Sequence, residues 1–266
     1  MQYLFKSWDT LSSDIKAADH VLLLSDYDGT LTPIVSRPEE AILSSEVREK
    51  LRDLSQKSTF SIGIVSGRPL SEVRALVGLE GIYYAGNHGF EIEGPGLSFI
   101  HPAATAAQAQ LQDLVRQFSG NLSHIKGVIV EDKGLSLSVH YRLVQEGQER
   151  LVAEIFQQAT EPLLREGKIR VTSGKKVWEV RPPIDWHKGK AVETITAELI
   201  PVLGSKRRLI IYLGDDTTDE DAFRIIHPPQ GWSIYIGTEN PSSNADYFLV
   251  STSEVVTLLT RLLELK

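Results

Sequence analysis

The chain has 266 residues, 41% apolar and 24% charged, a composition of soluble globular proteins with room for one large domain or two modest ones. Its net charge of -7 argues against a general binder of nucleic acid or acidic membrane surface, and its lack of cysteine excludes disulfides, zinc-thiolate sites and thiol nucleophiles. The opening MQYLFKSWDTLSSDIKAADH lacks the apolar core of roughly 7 to 15 residues that a signal peptide needs, and no later run approaches the roughly 18 residues of a membrane span, so a cytoplasmic protein is expected.

Residues 21–25 form a short continuous apolar run, the pattern of a strand buried on both faces of a parallel sheet. SSEVREKLRDLSQ follows with Val47, Leu51 and Leu54 at helical spacing, and FSIGIVSGR supplies a second apolar strand ending at Ser66. A helix over 69–77 precedes a third strand, IYYAGNHG, and this alternation of strand and helix predicts a doubly wound parallel sheet. Near Phe90 the rhythm changes. FEIEGPGLSFI reads as a hairpin turning at 94–96, then come a helix over 103–118, strands in IKGVIVEDKGLSLSVHYR around a tight turn at 132–134, a helix over 148–164, and the strands KIRVTS and KKVWEVRP. After Pro182 and Pro183 the alternation resumes with a helix over 187–199, the strand RLIIYLGDD, a helix after Thr218, the strands WSIYIG and DYFLV, and a last helix burying Val255, Leu258, Leu259 and Leu262. The expected fold is α/β: a doubly wound parallel-sheet core from 1–101 and 183–266, interrupted by an α/β domain with an antiparallel sheet at 102–182.

In open parallel sheets ligands bind beyond the carboxyl ends of the strands. Four such ends carry polar groups: Asp26 and Asp28; Ser66 with Arg68; Asn87 with His88; and Asp215, Asp216 and Asp219. Two aspartates one residue apart at the mouth of a buried strand repel each other and are costly to desolvate, and a hard cation removes that cost. An oxygen-rich, cysteine-free set of three or more aspartates suits magnesium, often completed by a substrate phosphate. Thr30 and Ser66 offer hydroxyls, and Arg68, Lys188 and Lys190 offer cations, all of them phosphate-binding groups. A carboxylate can itself attack phosphorus while a second one two residues away carries the proton of the leaving alcohol and then of water, a division that fits Asp26 and Asp28.

The set DYDGT, SGR, the lysine of HKGKA and GDDTTDED resembles the four motifs of the haloacid dehalogenase (HAD) superfamily of phosphatases. More narrowly, DYDGTLTPI, SGR, GNHG, EDKG, HYR, KVWEVRP and GDDTTDEDAF together resemble the trehalose-6-phosphate phosphatases over about residues 21–250. The resemblance implies a HAD-like core with an inserted cap, and hydrolysis of trehalose 6-phosphate through an aspartyl-phosphate. It implies Asp26 as nucleophile and magnesium ligand, and Asp28 as general acid/base whose main-chain carbonyl meets the metal. Thr30 and Ser66 would bind the phosphoryl group, Lys188 would neutralise it and the nucleophile, and Asp215 would hold the metal, with Asp219 doing so directly or through water; Arg68 is expected at the substrate. In the cap, Glu131, Lys133 and Glu179 match the sugar-binding trio, and Asn87 and His88 match a loop near the active site.

Strand periodicity supports the cap assignment independently: Val128 and Val130 share one face against Glu131 and Lys133, and Trp178 and Val180 oppose Glu179 and Arg181. Leu135, Leu137, Val139 and Tyr141 likewise oppose Ser136, Ser138, His140 and Arg142, which predicts one apolar face for helices and one open polar face for a hydroxyl-rich ligand. Each feature has a plainer reading. DGT is a common turn, Arg68 can cap a helix, Glu131 and Lys133 can be a solvated hairpin pair, His140 and Arg142 rim residues, His187 a helix start, and Asp216 a loop support. Spacing alone does not choose between Lys188 and Lys190. The expected partner is a small-molecule sugar phosphate, with glucosylglycerol phosphate or sucrose phosphate as alternatives and a phospho-receiver or non-catalytic domain as the reading from another class. A monomer is compatible with all of these.

Overall fold

The computed structural model describes residues 1–35, 37–204, 206–240 and 242–265. The chain divides into two compact units, one of Met1–Phe99 with Trp186–Lys266 and one of Ile100–Asp185.

In chain order the elements are β1 (Gln2–Tyr3), α1 (Trp8–Ala17), β2 (His20–Ser25), α2 (Ser45–Ser55), β3 (Phe60–Val65), α3 (Leu70–Val77), β4 (Tyr83–Gly86), β5 (Glu91–Gly94) and β6 (Leu97–Ile100). There follow α4 (Pro102–Asn121), β7 (Ile129–Asp132), β8 (Leu137–His140), α5 (Glu149–Arg165), β9 (Arg170–Gly174) and β10 (Val177–Arg181). The chain closes with α6 (Lys188–Leu203), β11 (Arg208–Gly214), α7 (Glu220–Phe223), β12 (Gly231–Ile236), β13 (Tyr247–Leu249) and α8 (Thr252–Leu265). No described helix is long and apolar enough to cross a membrane.

The first unit is built on a nine-stranded sheet in the order β1-β13-β12-β11-β2-β3-β4-β5-β6. Pairing is parallel from β1 to β4 and turns antiparallel between β4 and β5. The apolar run of β2 works on both faces at once. Val21 and Leu23 join Leu11, Ile15, Val47, Leu51, Leu54, Val73 and the four inward residues of α8. Leu22 and Leu24 join Ala191, Val192, Ile195, Ala222 and Phe223 from α6 and α7. Burial on both faces removes any use for polar alternation, which is why the strand reads as continuously apolar. Strands β2 and β11 are neighbours, with Leu213 opposite Ser25, and from this pair the chain winds outward in both directions. That makes the β2/β11 pair the switch point of the sheet, and Asp26 and Asp215 follow its two ends directly.

The second unit carries a four-stranded sheet, β7-β8-β10-β9, antiparallel throughout. Leu137, Val139 and Val180 pack on Leu111, Leu114 and Phe118 of α4 and on Val152 and Phe156 of α5. Phe156 stacks on Phe118 at 5.3 Å and on Trp178 at 4.8 Å, between ring centroids. The expected apolar face is thus the helix-covered one. The opposite face is polar, but its charges are already paired with one another: His140 Nε2 lies 2.8 Å from Glu131 Oε2, Lys133 Nζ 3.4 Å from Glu179 Oε1, and Arg181 bonds Glu179 through both Nε and a terminal nitrogen. Ser136 and Ser138 of the same sheet are buried.

Candidate active site

The parallel ladder delivers the predicted groups to one edge of the sheet. The Asp26 amide donates to the Leu213 carbonyl at 2.8 Å and the Ser66 amide to the Ala85 carbonyl at 2.8 Å, so strands β11, β2, β3 and β4 end in step. Two glycines make the close approaches possible. Gly29, at φ +83°, lies where a Cβ would sit 2.2 Å from Asp215 Oδ2, and Gly86 lies where a Cβ would sit 2.3 Å from the Leu70 amide nitrogen.

Asp26, Asp215 and Asp219 each bring a carboxylate oxygen within 4.8 Å of the others. Asp26 and Asp219 are buried, and Lys188 Nζ lies 2.8 Å from an oxygen of each. Lys188 is the first residue of α6, whose start follows His187, whereas Lys190 two positions further along the helix pairs with Glu193 on the surface. Lys188, and not Lys190, is the lysine paired with Asp26 and Asp219. Burial pushes the Asp26 carboxyl well above the usual carboxylate range; the Lys188 charge pulls it down, and the charges of Asp219 and Asp215 push it up further. Burial works against the Lys188 ammonium, but the charges of Asp219 and Asp26 outweigh it and hold its pKa above the ordinary lysine value.

Asp219 is committed to four donors. Its Oδ1 accepts from Lys188 Nζ at 2.8 Å and from the Tyr212 hydroxyl at 2.7 Å, and its Oδ2 accepts from the amides of Asp215 and Asp216 at 3.1 Å each. Asp216 caps the short turn Thr217–Asp219 with its side chain, the loop support expected of it. Asp219 Oδ2 thus frames the Asp215–Asp216 turn and Oδ1 holds Lys188 and Tyr212, while an oxygen of Asp219 still lies within 4.8 Å of those of Asp26 and Asp215, where it can meet a metal directly or through water. Tyr212 was not singled out by the sequence, although a hydroxyl three residues before Asp215 in an otherwise aliphatic strand was a usable signal.

Arg68 has close partners within the protein. Its guanidinium, expected at the substrate, is buried and bonds both oxygens of Asp28, at 2.7 Å each, as well as Glu72 and, at 2.8 Å, the Pro38 carbonyl. The Asp28 carboxylate is held at this cation, not at the Asp26 trio. Glu72, four residues along from Arg68, is the second residue that the sequence reading missed, and i,i+4 charge spacing was its signal.

Thr30 is fully buried, and its Oγ1 has no hydrogen-bond partner within the protein. Ser66 is buried and its hydroxyl accepts from the Arg68 amide at 3.1 Å. Asn87 and His88 adopt φ of +49° and +57° in the turn after β4, a costly backbone for non-glycine residues that is held in place locally. The Asn87 amide donates to the Arg68 carbonyl at 2.7 Å, the His88 amide to the Ser66 carbonyl at 2.9 Å, and Asn87 Nδ2 to Glu91 at 2.8 Å. The His88 ring occupies the space a side chain at Gly67 would need. Glu131, Lys133 and Glu179 are brought together on the polar face of the second unit, with Glu131 4.0 Å from the Lys133 ammonium.

The donor set fits a hard divalent cation: carboxylate oxygens only, two of the three residues buried and Asp215 half-buried, with like charges that a single lysine does not balance. The orphaned Thr30 hydroxyl fits a further oxygen-rich ligand beside it.

The trehalose-phosphatase family matches residues 24–253. A probable trehalose-phosphate phosphatase D of Arabidopsis thaliana is 38% identical over 256 residues, covering 92% of this chain and 68% of that protein. Among solved structures, the C-terminal domain of C. albicans trehalose-6-phosphate phosphatase superposes with a TM-score of 0.79 at 25% identity, over 97% of each chain. A haloacid dehalogenase-like hydrolase from Bacteroides thetaiotaomicron shares the fold, with a TM-score of 0.62 at 17% identity over 91% of this chain and 99% of the other.

Proposed function

The chain belongs to the trehalose-phosphatase family, and from that premise we propose that it is a magnesium-dependent phosphoric monoester hydrolase that converts trehalose 6-phosphate and water to trehalose and phosphate. The observation that carries this reading is the buried meeting of Asp26, Asp215, Asp219 and Lys188 at the switch point of the parallel sheet, with the unpartnered Thr30 hydroxyl close by in sequence.

Asp26 is the nucleophile. One carboxylate oxygen forms a bond to phosphorus as the bond between phosphorus and the sugar oxygen breaks, giving an aspartyl-phosphate and an alkoxide. Asp28 supplies the proton that the alkoxide takes, then accepts one from the water that attacks phosphorus and returns Asp26 to its carboxylate. Lys188, Thr30 and Ser66 hold the phosphoryl oxygens, and the Lys188 ammonium balances charge on both nucleophile and phosphoryl. The Asp26 and Asp215 carboxylates with the Asp28 main-chain carbonyl would hold magnesium, which when bound offsets the phosphoryl charge. Asp219 keeps Asp215 and Lys188 in place. The unit of residues 100–185 serves as the cap, with Glu131, Lys133 and Glu179 recognising sugar hydroxyls.

A panel of sugar phosphates tests the reading. Trehalose 6-phosphate should be turned over with the highest kcat/KM, only with magnesium, and not after chelation; a clear preference for sucrose phosphate or glucosylglycerol phosphate would move the substrate within the same chemistry, and release of no phosphate from any of them would end the enzyme reading.

A further inference from the structure

The Asp28 carboxylate is gripped from one side only, and by a cation that has a second carboxylate. Arg68 bonds Asp28 Oδ2 through Nε and Asp28 Oδ1 through one terminal nitrogen, both at 2.7 Å, while its other terminal nitrogen bonds Glu72. The guanidinium is buried, with the Tyr27 ring 5.5 Å from it, yet the Asp28 and Glu72 side chains are 41% and 37% exposed. The cation is therefore the fixed partner, and the two carboxylates reach it from the wet side. Its main chain is fixed as well, since the Arg68 amide bonds Ser66 Oγ and its carbonyl takes the Asn87 amide.

An Asp28 oxygen that carries the proton for the alcohol leaving phosphorus cannot at the same time keep its charged bond to Arg68, so Asp28 must loosen that grip once in each turnover. Letting go of a lone buried guanidinium would strand an unpaired charge, which is strongly unfavourable. Glu72 removes that obstacle, because the cation keeps one carboxylate when the other departs. We infer that Glu72 is a positioning residue that acts through Arg68 to make the release of Asp28 cheap, and thereby sets how fast the leaving group receives its proton. The inference rests on the reading of Asp28 as the proton carrier. Glu72 itself touches no substrate in this scheme.

The test uses the full-length protein with magnesium and replaces Glu72→Gln, a partly exposed position where the fold is expected to survive. With only one carboxylate left, Arg68 holds Asp28 more tightly. Turnover of trehalose 6-phosphate should fall by about tenfold or more with KM little changed. With enzyme in excess over aryl phosphates, the phenol released in the first turnover reports bond cleavage alone. Nitrophenyl phosphate, whose phenolate leaves without a proton, should be cleaved at the wild-type rate, and the rate should drop progressively as the phenol becomes more basic. A uniform loss across all leaving groups, or none, would overturn the inference, since a merely structural role does not sense leaving-group basicity. Asp28→Asn in the same series separates the two claims. If Asp28→Asn steepens the dependence and Glu72→Gln does not, the role of Glu72 is refuted and the proton carrier stands; if Asp28→Asn leaves the dependence unchanged, the proton-carrier reading falls first and takes this inference with it.

Discussion

Four hydrogen bonds converge on the Asp219 carboxylate, and the one from Tyr212 is the easiest to remove without disturbing the rest. Tyr212→Phe keeps the ring that packs against Phe223 at 5.9 Å and deletes only the hydroxyl, at a cost of about 1–3 kcal/mol where a charged acceptor loses a buried partner. We expect a folded protein that needs a higher magnesium concentration for half-maximal activity, read from a metal titration; an unchanged titration would mean that Lys188 and the two amides suffice. Asp26→Asn tests the centre itself. Turnover should fall by several powers of ten through loss of the nucleophile. The stability effect should run the other way: burial and the nearby Asp219 and Asp215 charges oppose ionisation of Asp26, so the amide removes a charge that the fold tolerates poorly. Thermal melts in chelator should show the variant no less stable than wild type, and magnesium should raise the melting temperature of wild type far more than that of the variant. At this scale the sequence reading was uneven for a physical reason. Asp26 and Asp215 were visible because their neighbours in the chain mark strand ends, whereas spacing left Lys188 level with Lys190 and only the family resemblance favoured it. The partners of Arg68 and Asp219 were not, because they depend on rotamers and on which loop passes which, and these are set only when the sheet closes.

Elements divide in the same way. Runs buried on both faces, such as Leu22, Leu23 and Leu24 in β2, announced themselves, as did α8 with four apolar residues at helical spacing. The helix α1 was passed over because Leu11 and Ile15 are its only buried residues, too thin a stripe to read among its polar neighbours, and β1 is two residues of edge pairing on β13. The helix expected after Thr218 is only the four residues of α7, since it needs to turn the chain and bury Ala222 and Phe223 and nothing more. Gly86 shows how an element end controls the loop beyond it. Gly86→Ala would drive a methyl group into the main chain of α3 at Leu70, where no side chain can move aside. The strand end must shift, the Asn87–His88 turn with it, and we expect soluble protein with a lowered melting temperature and impaired turnover. The paired charges of Lys133, in the turn after β7, and Glu179 on β10 predict a different selectivity. Lys133→Ala or Glu179→Gln should cut kcat/KM for the sugar phosphate by roughly ten- to a hundredfold, about 1–3 kcal/mol for a lost contact to a charged group, and leave hydrolysis of a small aryl phosphate nearly unchanged. Equal losses on both substrates would reassign these residues to holding the sheet together.

Among the described residues the hydrophobic cores are separate: two on the faces of the large sheet and one in the unit of residues 100–185. A cavity in the last should therefore be felt locally. Phe156→Ala removes the ring stacked between Phe118 and Trp178 and should cost about 3–5 kcal/mol, splitting calorimetric unfolding into two transitions, the lower of which abolishes trehalose 6-phosphate turnover. A single transition shifted as a whole would show that the units unfold as one. The pairing of β2 with β11 carries a consequence for how the protein is made. Asp26 and Asp215 stand on adjacent strands, yet everything in residues 100–185 is synthesised between them. At about 5–20 residues per second, the ribosome supplies β11 only after roughly ten seconds or more have passed since β2 emerged. Throughout that interval the most apolar strand of the sheet has an open edge, while the intervening unit, contiguous in the chain, has all it needs to fold. The core of residues 100–185 can thus form before Asp26 and Asp215 can meet, and until then Val21, Leu22, Leu23 and Leu24 are an apolar stretch without its β11 partner, open to capture by other chains.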